Sequence, residues 1–178
     1  MNDDTEIIAV TEKEIDLLRS TALAAYCDHY LHLWKDNGAW YVERSFSPAQ
    51  LSSELAQPFS NFYFIVYQRE TVGFLKINTA MDLPGYTNEE TLELERIYLK
   101  ASAGGSGIGS FVMNFVFQQA AILQKRVVFL KVMDTSLIPI KFYKKHGFEI
   151  CGTYQLDYEQ MREELRGMYF MKREIMMY

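Results

Sequence analysis

LERIYLKASAGGSGIG, residues 94–109, is the stretch on which the reading of this chain turns. It passes from an apolar, β-prone segment, residues 91–100, into glycines at positions 104, 105, 107 and 109. An amphipathic run, residues 110–124, follows at once and predicts a helix. Strand, glycine turn and helix N-terminus together form an anion cradle. Backbone N–H groups without partners converge there, and the helix dipole adds roughly half a positive charge. The expected guest is a pyrophosphate, with the remaining chain building a small-molecule transferase around it.

Two ligand classes use such a cradle. A dinucleotide site asks for G-x-G-x-x-G within a strand-helix-strand unit and an acid about twenty residues on. Gly105 and Gly107 fit the first two places, Ser110 takes the third, and Asp134 stands in for the acid. Against that reading, the preceding strand carries Glu93, Glu95 and Arg96, unlike the buried first strand of such folds. A hairpin also precedes it: NFYFIVYQ (residues 61–68) and TVGFLKINT (residues 71–79), turned at Arg69-Glu70. A P-loop is excluded, because no Gly-Lys-Ser/Thr follows the glycines.

Beyond the helix, RVVFLKVM (residues 126–133) reads as a strand buried on both faces. Residues 136–146 predict a helix with Pro139 in its first turn, ended by Gly147. Residues 148–154 and 168–173 are closing strands around a charged, irregular segment. Towards the N-terminus, residues 6–10 predict a strand, and Thr11 with Glu14 forms a capping box. The helix it opens is expected to run to about Lys35, with Ile15, Leu18, Ala22 and Tyr26 at helical spacing, until Asp36-Asn37-Gly38 stops it. His29 and His32 then share a helix face; zinc would need further ligands, so a packed or surface pair is the plainer reading. Ser47-Pro48 starts a second helix through Ala56, ended at Gln57-Pro58. Residues 80–88, with Pro84-Gly85, read as surface loop. Without repeats or linkers, residues 1–178 are expected to form a single α/β domain.

The composition, 49% hydrophobic and 23% charged over 178 residues, is that of an ordinary globular chain. A net charge of −5 counts against a nucleic-acid partner and is compatible with cationic substrates. Cys27 and Cys151 match no metal or redox spacing, so a reducing compartment is the default. The opening MNDDTEIIAV is acidic where a signal peptide is basic, and no run reaches the ~20 apolar residues of a membrane span. The expectation is a cytoplasmic protein with no membrane contact and no metal.

The element order β-α-α-β-β-β-α-β-α-β-β, with the glycine turn after the fourth strand, resembles the GNAT superfamily of N-acetyltransferases. That family's signature Arg/Gln-x-x-Gly-x-Gly/Ala is matched by residues 104–109 except at its first place, where Gly104 stands. A second signature, aromatic-Tyr-x-x-x-Gly-Phe, is intact as Phe142-Tyr143-Lys144-Lys145-His146-Gly147-Phe148. The phrases YVERSF (41–46), LSSELAQP (51–58), FYFIVY and LELERIYL are similar to bacterial polyamine N-acetyltransferases of the PaiA type. The resemblance implies the GNAT fold: a mixed, mostly antiparallel sheet of about seven strands, flanked by helices and splayed at an acetyl-CoA site. It implies acetyl-CoA as co-substrate and direct attack of a neutral amine through a tetrahedral intermediate. A polyamine is the favoured acceptor, other amines stay open, and a homodimer is a family-level expectation. The alternative is a sensor that binds acetyl-CoA without turnover.

The same resemblance assigns roles. Ile97, Tyr98 and Leu99 lend main-chain groups to the pantetheine, with the Leu99 N–H polarising the thioester carbonyl. Gly104, Gly105, Ser106, Gly107, Ile108, Gly109 and Ser110 wrap the pyrophosphate; at Gly104 one side-chain contact is lost. Ser136, where the family usually has Asn, either bonds the pantetheine or caps its helix. Phe142 joins the cofactor-binding set, and Lys145 reaches for the adenosine phosphate or stays in solvent. Tyr143 is the general acid, since a thiol near ~8.5 and a phenol near ~10 are close enough for proton delivery. Glu95, slightly ahead of Glu93, accepts the amine's proton; the two point to one strand face. Tyr30, Trp34, Trp40, Tyr41 and Phe46 either wall an acceptor pocket or belong to the core.

Overall fold

In the computed structural model, which describes residues 4–176, strand β1 (Thr5–Ala9) opens the chain. The capping box forms: Glu14 accepts the Thr11 N–H and hydroxyl at 2.7 and 2.6 Å. Helix α1 (Ile15–Cys27) ends well before Lys35, so the long helix expected from periodicity is corrected. The reason is tertiary. The Asp28 carboxylate accepts the Ala101 N–H at 2.8 Å, and a separate turn, Leu31–Leu33, follows. His29 and His32 therefore do not share a helix face.

Asp36-Asn37-Gly38 starts a helix rather than stopping one. Asp36 accepts the N–H groups of Gly38 and Trp40 at 3.0 and 2.8 Å, ahead of α2 (Ala39–Phe46). Helix α3 (Pro48–Leu55) has its proline at the first position, where the missing N–H has no bond to lose. Strands β2 (Ser60–Tyr67) and β3 (Glu70–Asn78) form the hairpin. Its turn lies at Gln68 and Arg69, φ 50° and 67°, one residue earlier than expected. Then come β4 (Thr91–Leu99), α4 (Ile108–Ile122), β5 (Val127–Met133), α5 (Leu137–Lys145), β6 (Glu149–Gln155) and β7 (Gly167–Glu174). Gly147, φ 82°, ends α5 in the left-handed region.

The seven strands form one sheet in the order β1-β2-β3-β4-β5-β7-β6. All neighbours are antiparallel except β4 and β5. A doubly wound parallel sheet, and with it the dinucleotide reading, is excluded. On one face Leu18, Tyr26, Phe46 and Leu51 from α1–α3 pack on Phe62, Phe64 and Phe74. On the other, Val112 and Val116 of α4 and Ile140 of α5 pack on Leu75, Leu92, Leu94 and Leu130. Leu83 closes over Val127 and Phe129, so β5 is buried from both sides, as its apolar run predicts.

Strand β4 is irregular in two ways. Ile77 pairs with Leu94 but Lys76 pairs with Arg96, so Glu95 is an extra residue in a bulge. One added residue reverses the alternation: Ile97 and Leu99 rejoin Leu92 and Leu94 on the α4 face, while Tyr98 turns under α1. Beyond the bulge the strands part. β4 pairs with β5 only from Thr91 to Leu94, whereas β5 continues beside β7 to Met133. The C-terminal half of β4 is left with an open edge.

Candidate acetyl-transfer site

The glycine loop occupies the end of β4. Gly105 and Gly107, at φ 77° and 80°, stand where a side chain is strained, and Gly107 immediately precedes α4. The first bond of α4 runs from the Phe111 N–H to the Gly107 carbonyl at 3.2 Å. The N–H groups of Ile108, Gly109 and Ser110 therefore have no acceptor one turn back, and they point out of the helix N-terminus. Ser106 braces the loop by donating its hydroxyl to the Ala103 carbonyl at 2.7 Å. Ile108 is buried and pins the helix to the core. Gly104 differs from its neighbours: φ −63° and ψ 142° are open to any residue.

A Cβ on Gly109 would stand 3.2 Å from the Phe142 ring, so the two signature stretches touch there. Phe142 also packs on His146 with ring centroids 4.4 Å apart. Tyr143 lies between Phe142 and Phe148. Burial raises the Tyr143 pKa far above that of a free phenol, and the neighbouring Tyr30 hydroxyl adds to the effect. Ser136 offers its carbonyl to the Ile140 N–H at 3.0 Å, but its hydroxyl makes no capping bond, so the capping alternative is not realised. Lys145 is exposed and makes no ion pair among the described residues.

The Lys100 N–H bonds the Val72 carbonyl at 2.8 Å. Antiparallel alternation from that pair turns the N–H and carbonyl of Leu99 and Ile97 away from β3 and into the splay; those of Tyr98 turn towards β3. His29 Nε2 lies 3.1 Å from the Leu99 carbonyl, and since a carbonyl only accepts, Nε2 carries the hydrogen. Sequence patterning missed His29 in this position because its contact partner is distant in the chain. Positive-φ glycines, free helix N–H groups and an open strand edge form one continuous track. It fits a pyrophosphate joined to an extended, amide-bearing arm, which is the build of coenzyme A.

Glu93 and Glu95 do share one side of β4, because Asn78 Nδ2 donates to both, at 2.9 and 2.6 Å. Neither belongs to a solvated face. Glu93 is 1% exposed and pairs with Lys131 at 2.8 Å. Glu95 pairs with Lys76 at 2.6 Å and Arg96 at 3.1 Å. Glu54 of α3 takes the same two cations at 2.7 and 3.0 Å. Burial on its own raises the Glu54 pKa, but Arg96, Gln50 and Lys76 outweigh it and hold the carboxyl below its ordinary value. Sequence patterning did not single out Glu54, Lys76, Asn78 or Lys131. Lys76 inside TVGFLKINT was the available signal, since a lysine in a buried strand requires a partner.

Of the five aromatics considered for the acceptor wall, Trp34 and Phe46 are core residues, 2% and 0% exposed. The Trp34 indole N–H donates to the Tyr26 hydroxyl at 2.7 Å. Tyr30, Trp40 and Tyr41 are half-buried. No group of three or more His, Cys, Asp or Glu side chains among the described residues could hold a metal.

The model of the acetyltransferase (GNAT) family matches residues 21–148. An uncharacterized N-acetyltransferase of Lactobacillus delbrueckii subsp. lactis is 29% identical over 150 residues, covering 80% of this chain and 83% of that one. Among solved structures, the PaiA N-acetyltransferase of Thermoplasma acidophilum in complex with coenzyme A aligns with a TM-score of 0.73 at 16% identity, covering 96% of this chain and 98% of that one. A mutant of the spermidine N-acetyltransferase SpeG of Vibrio cholerae aligns with a TM-score of 0.71 at 11% identity, covering 97% and 95%.

Proposed function

This chain belongs to the acetyltransferase (GNAT) family, and on that premise we propose that it acetylates a primary amine, with a polyamine as the favoured acceptor. It is an acetyl-CoA-dependent acetyltransferase, and the co-substrate supplies an acetyl group activated as a thioester. One observation carries the reading. The cradle of residues 104–110 follows the open half of β4, Gly109 in it abuts Phe142, and Tyr143 beside Phe142 packs on the same core as Ile97 and Leu99 of β4.

In this reading the chain's own groups divide the work. Gly105, Gly107 and the N–H groups at the start of α4 hold the pyrophosphate. Ile97 and Leu99 pair with the extended arm as a strand pairs with an edge, and the Leu99 N–H polarises the acetyl carbonyl. Tyr143 donates its proton to the departing thiolate. An alkylamine, pKa about 10.4, must shed a proton before it attacks. Glu95, half-buried where Glu93 is sealed, receives that proton through water, and its ion pairs with Lys76 and Arg96 fix the position of its carboxylate. The spermidine named for SpeG favours a polyamine acceptor, and so does the acidic chain, at a net charge of −5.

We read residues 1–178 as one catalytic domain that works in the cytoplasm; the free, widely separated Cys27 and Cys151 support a reducing compartment. No helix among the described residues is long and apolar enough to cross a membrane. Binding without turnover is the second reading, favoured by the missing side chain at Gly104. Incubation with acetyl-CoA and a panel of amines, following free thiol, separates the two. Thiol release that depends on spermidine or a related amine is expected. Tight acetyl-CoA binding with no amine-dependent release would establish the sensor instead.

A further inference from the structure

A cavity of about 420 Å³ lies away from the cradle, lined by Trp40, Arg44, Asp157, Tyr158, Glu159 and Gln160. That volume is within the range of small-molecule sites. The Trp40 and Tyr158 rings meet with centroids 5.3 Å apart, and the Arg44 guanidinium rests over both, 5.2 Å and 5.5 Å from their centroids. Cation–π attraction places it there. Asp157 and Glu159 bring two carboxylates to the same cavity, and among the described residues neither carboxylate makes an ion pair; Arg166 reaches only the Glu159 carbonyl, at 3.4 Å. The cavity thus already holds a cation on its aromatic floor, while neither of its carboxylates is ion-paired among the described residues.

A row of rings connects it to the open edge of β4. Trp34 touches Trp40 and Tyr158 at 5.7 and 6.2 Å and stacks on Tyr41 at 4.8 Å. Tyr41 stacks on Tyr26 at 4.9 Å, and both Tyr26 and Tyr30 contact Tyr98 of β4, at 5.5 and 5.2 Å. The segment around Trp34 is fastened to the Tyr158 loop by Lys35 N–H to the Gln160 carbonyl at 2.9 Å and Arg162 N–H to the Leu33 carbonyl at 3.0 Å. The cavity is therefore held in fixed relation to the reaction end.

We propose that this cavity is an outer cation subsite, which takes the distal ammonium of a linear polyamine while the near amine is acetylated, and that Arg44 is a surrogate cation the ligand displaces. The proposal deepens the amine-acetyltransferase reading and rests on it for the near amine. Asp157 and Glu159 supply charge, Trp40 and Tyr158 supply the π face, and a monoamine has no group to place there.

Calorimetry on the protein saturated with coenzyme A tests this with spermidine and n-butylamine as probes. Spermidine is expected to bind about ten-fold or more tighter than butylamine. The double variant Asp157→Asn, Glu159→Gln should lose most of that preference, and Arg44→Ala should widen it by about three-fold or more. All three positions are exposed, so the folded state survives the changes. Trp40 fluorescence should respond to spermidine, and the response should vanish in Trp40→Phe. A spermidine preference that is absent in the wild type, or unchanged in both variants, overturns the subsite. Such a result leaves the acetyl-transfer reading standing, because that reading falls only if no amine releases free thiol.

Discussion

Burial and the Tyr30 hydroxyl hold the proton on Tyr143 across the whole range in which an alkylamine becomes neutral. A rate limited by neutral amine climbs as pH approaches about 10.4, and a phenol with a raised pKa adds no falling limb below that. The kcat/KM for the amine should therefore rise steadily to about pH 10; a falling limb at lower pH that disappears in Tyr143→Phe would contradict the assignment. Tyr143→Phe should lower kcat about 10²-fold while coenzyme A affinity, read by calorimetry, stays within about two-fold. The glutamates should separate. Glu95→Gln is expected to lower kcat by about 10²-fold, whereas Glu93→Gln, which leaves Lys131 without its partner, should chiefly lower Tm. Wild-type rates in both variants would retire a carboxylate base.

The loop after β4 shows which features local sequence carries. Gly105 and Gly107 were legible because left-handed backbone before a helix N-terminus has a compositional signature. A bulge or splay in this strand was expected only through the resemblance, and the place of the bulge, at Glu95, was not legible. No glycine or proline marks it; the network around Lys76, Glu54 and Arg96 holds it, and those residues come from three elements. The end of α1 was hidden for a like reason, since the Asp28 carboxylate leaves for the Ala101 N–H. Helix α2 was hidden because Trp40, Tyr41 and Val42 are modest helix formers, and Asp36 caps it across the Asn37-Gly38 turn. Gly104 has an ordinary conformation, unlike Gly105 and Gly107, so Gly104→Arg needs no backbone change; its Cβ meets only the Ala101 carbonyl at 3.3 Å. The variant should tighten coenzyme A several-fold by adding a charge-assisted bond to phosphate. Weaker binding in calorimetry, with Tm unchanged, would show that the pyrophosphate runs elsewhere.

The sheet's α1–α3 face is held together by charge as well as by apolar packing. Glu54 and Glu95 share Lys76 and Arg96 in one set of ion pairs, and Asn78 joins that set to the separate Glu93–Lys131 pair by donating to both Glu95 and Glu93. Glu54 ties α3 to β3 and β4, so its ionisation belongs to the stability of the whole fold. Its folded pKa is depressed, so its contribution is full above the ordinary carboxylate value of about 4.3 and is lost as pH falls through the lowered folded value. Glu54→Gln removes that dependence and leaves two buried cations to share Glu95. Removing one partner of a buried pair costs about 3–5 kcal/mol, which for a chain of this size is about 6–20 °C in Tm. Thermal unfolding from pH 3 to pH 7 should show the variant melting lower at pH 7 and converging on the wild type at the acid end. The paired change Glu54→Leu with Lys76→Met separates burial of charge from loss of a partner. It removes one anion and one cation together, leaves Arg96 to Glu95, and should recover most of the lost Tm at pH 7. If the double variant melts as low as Glu54→Gln, the network stabilises through the geometry of Glu54 itself rather than through its charge balance.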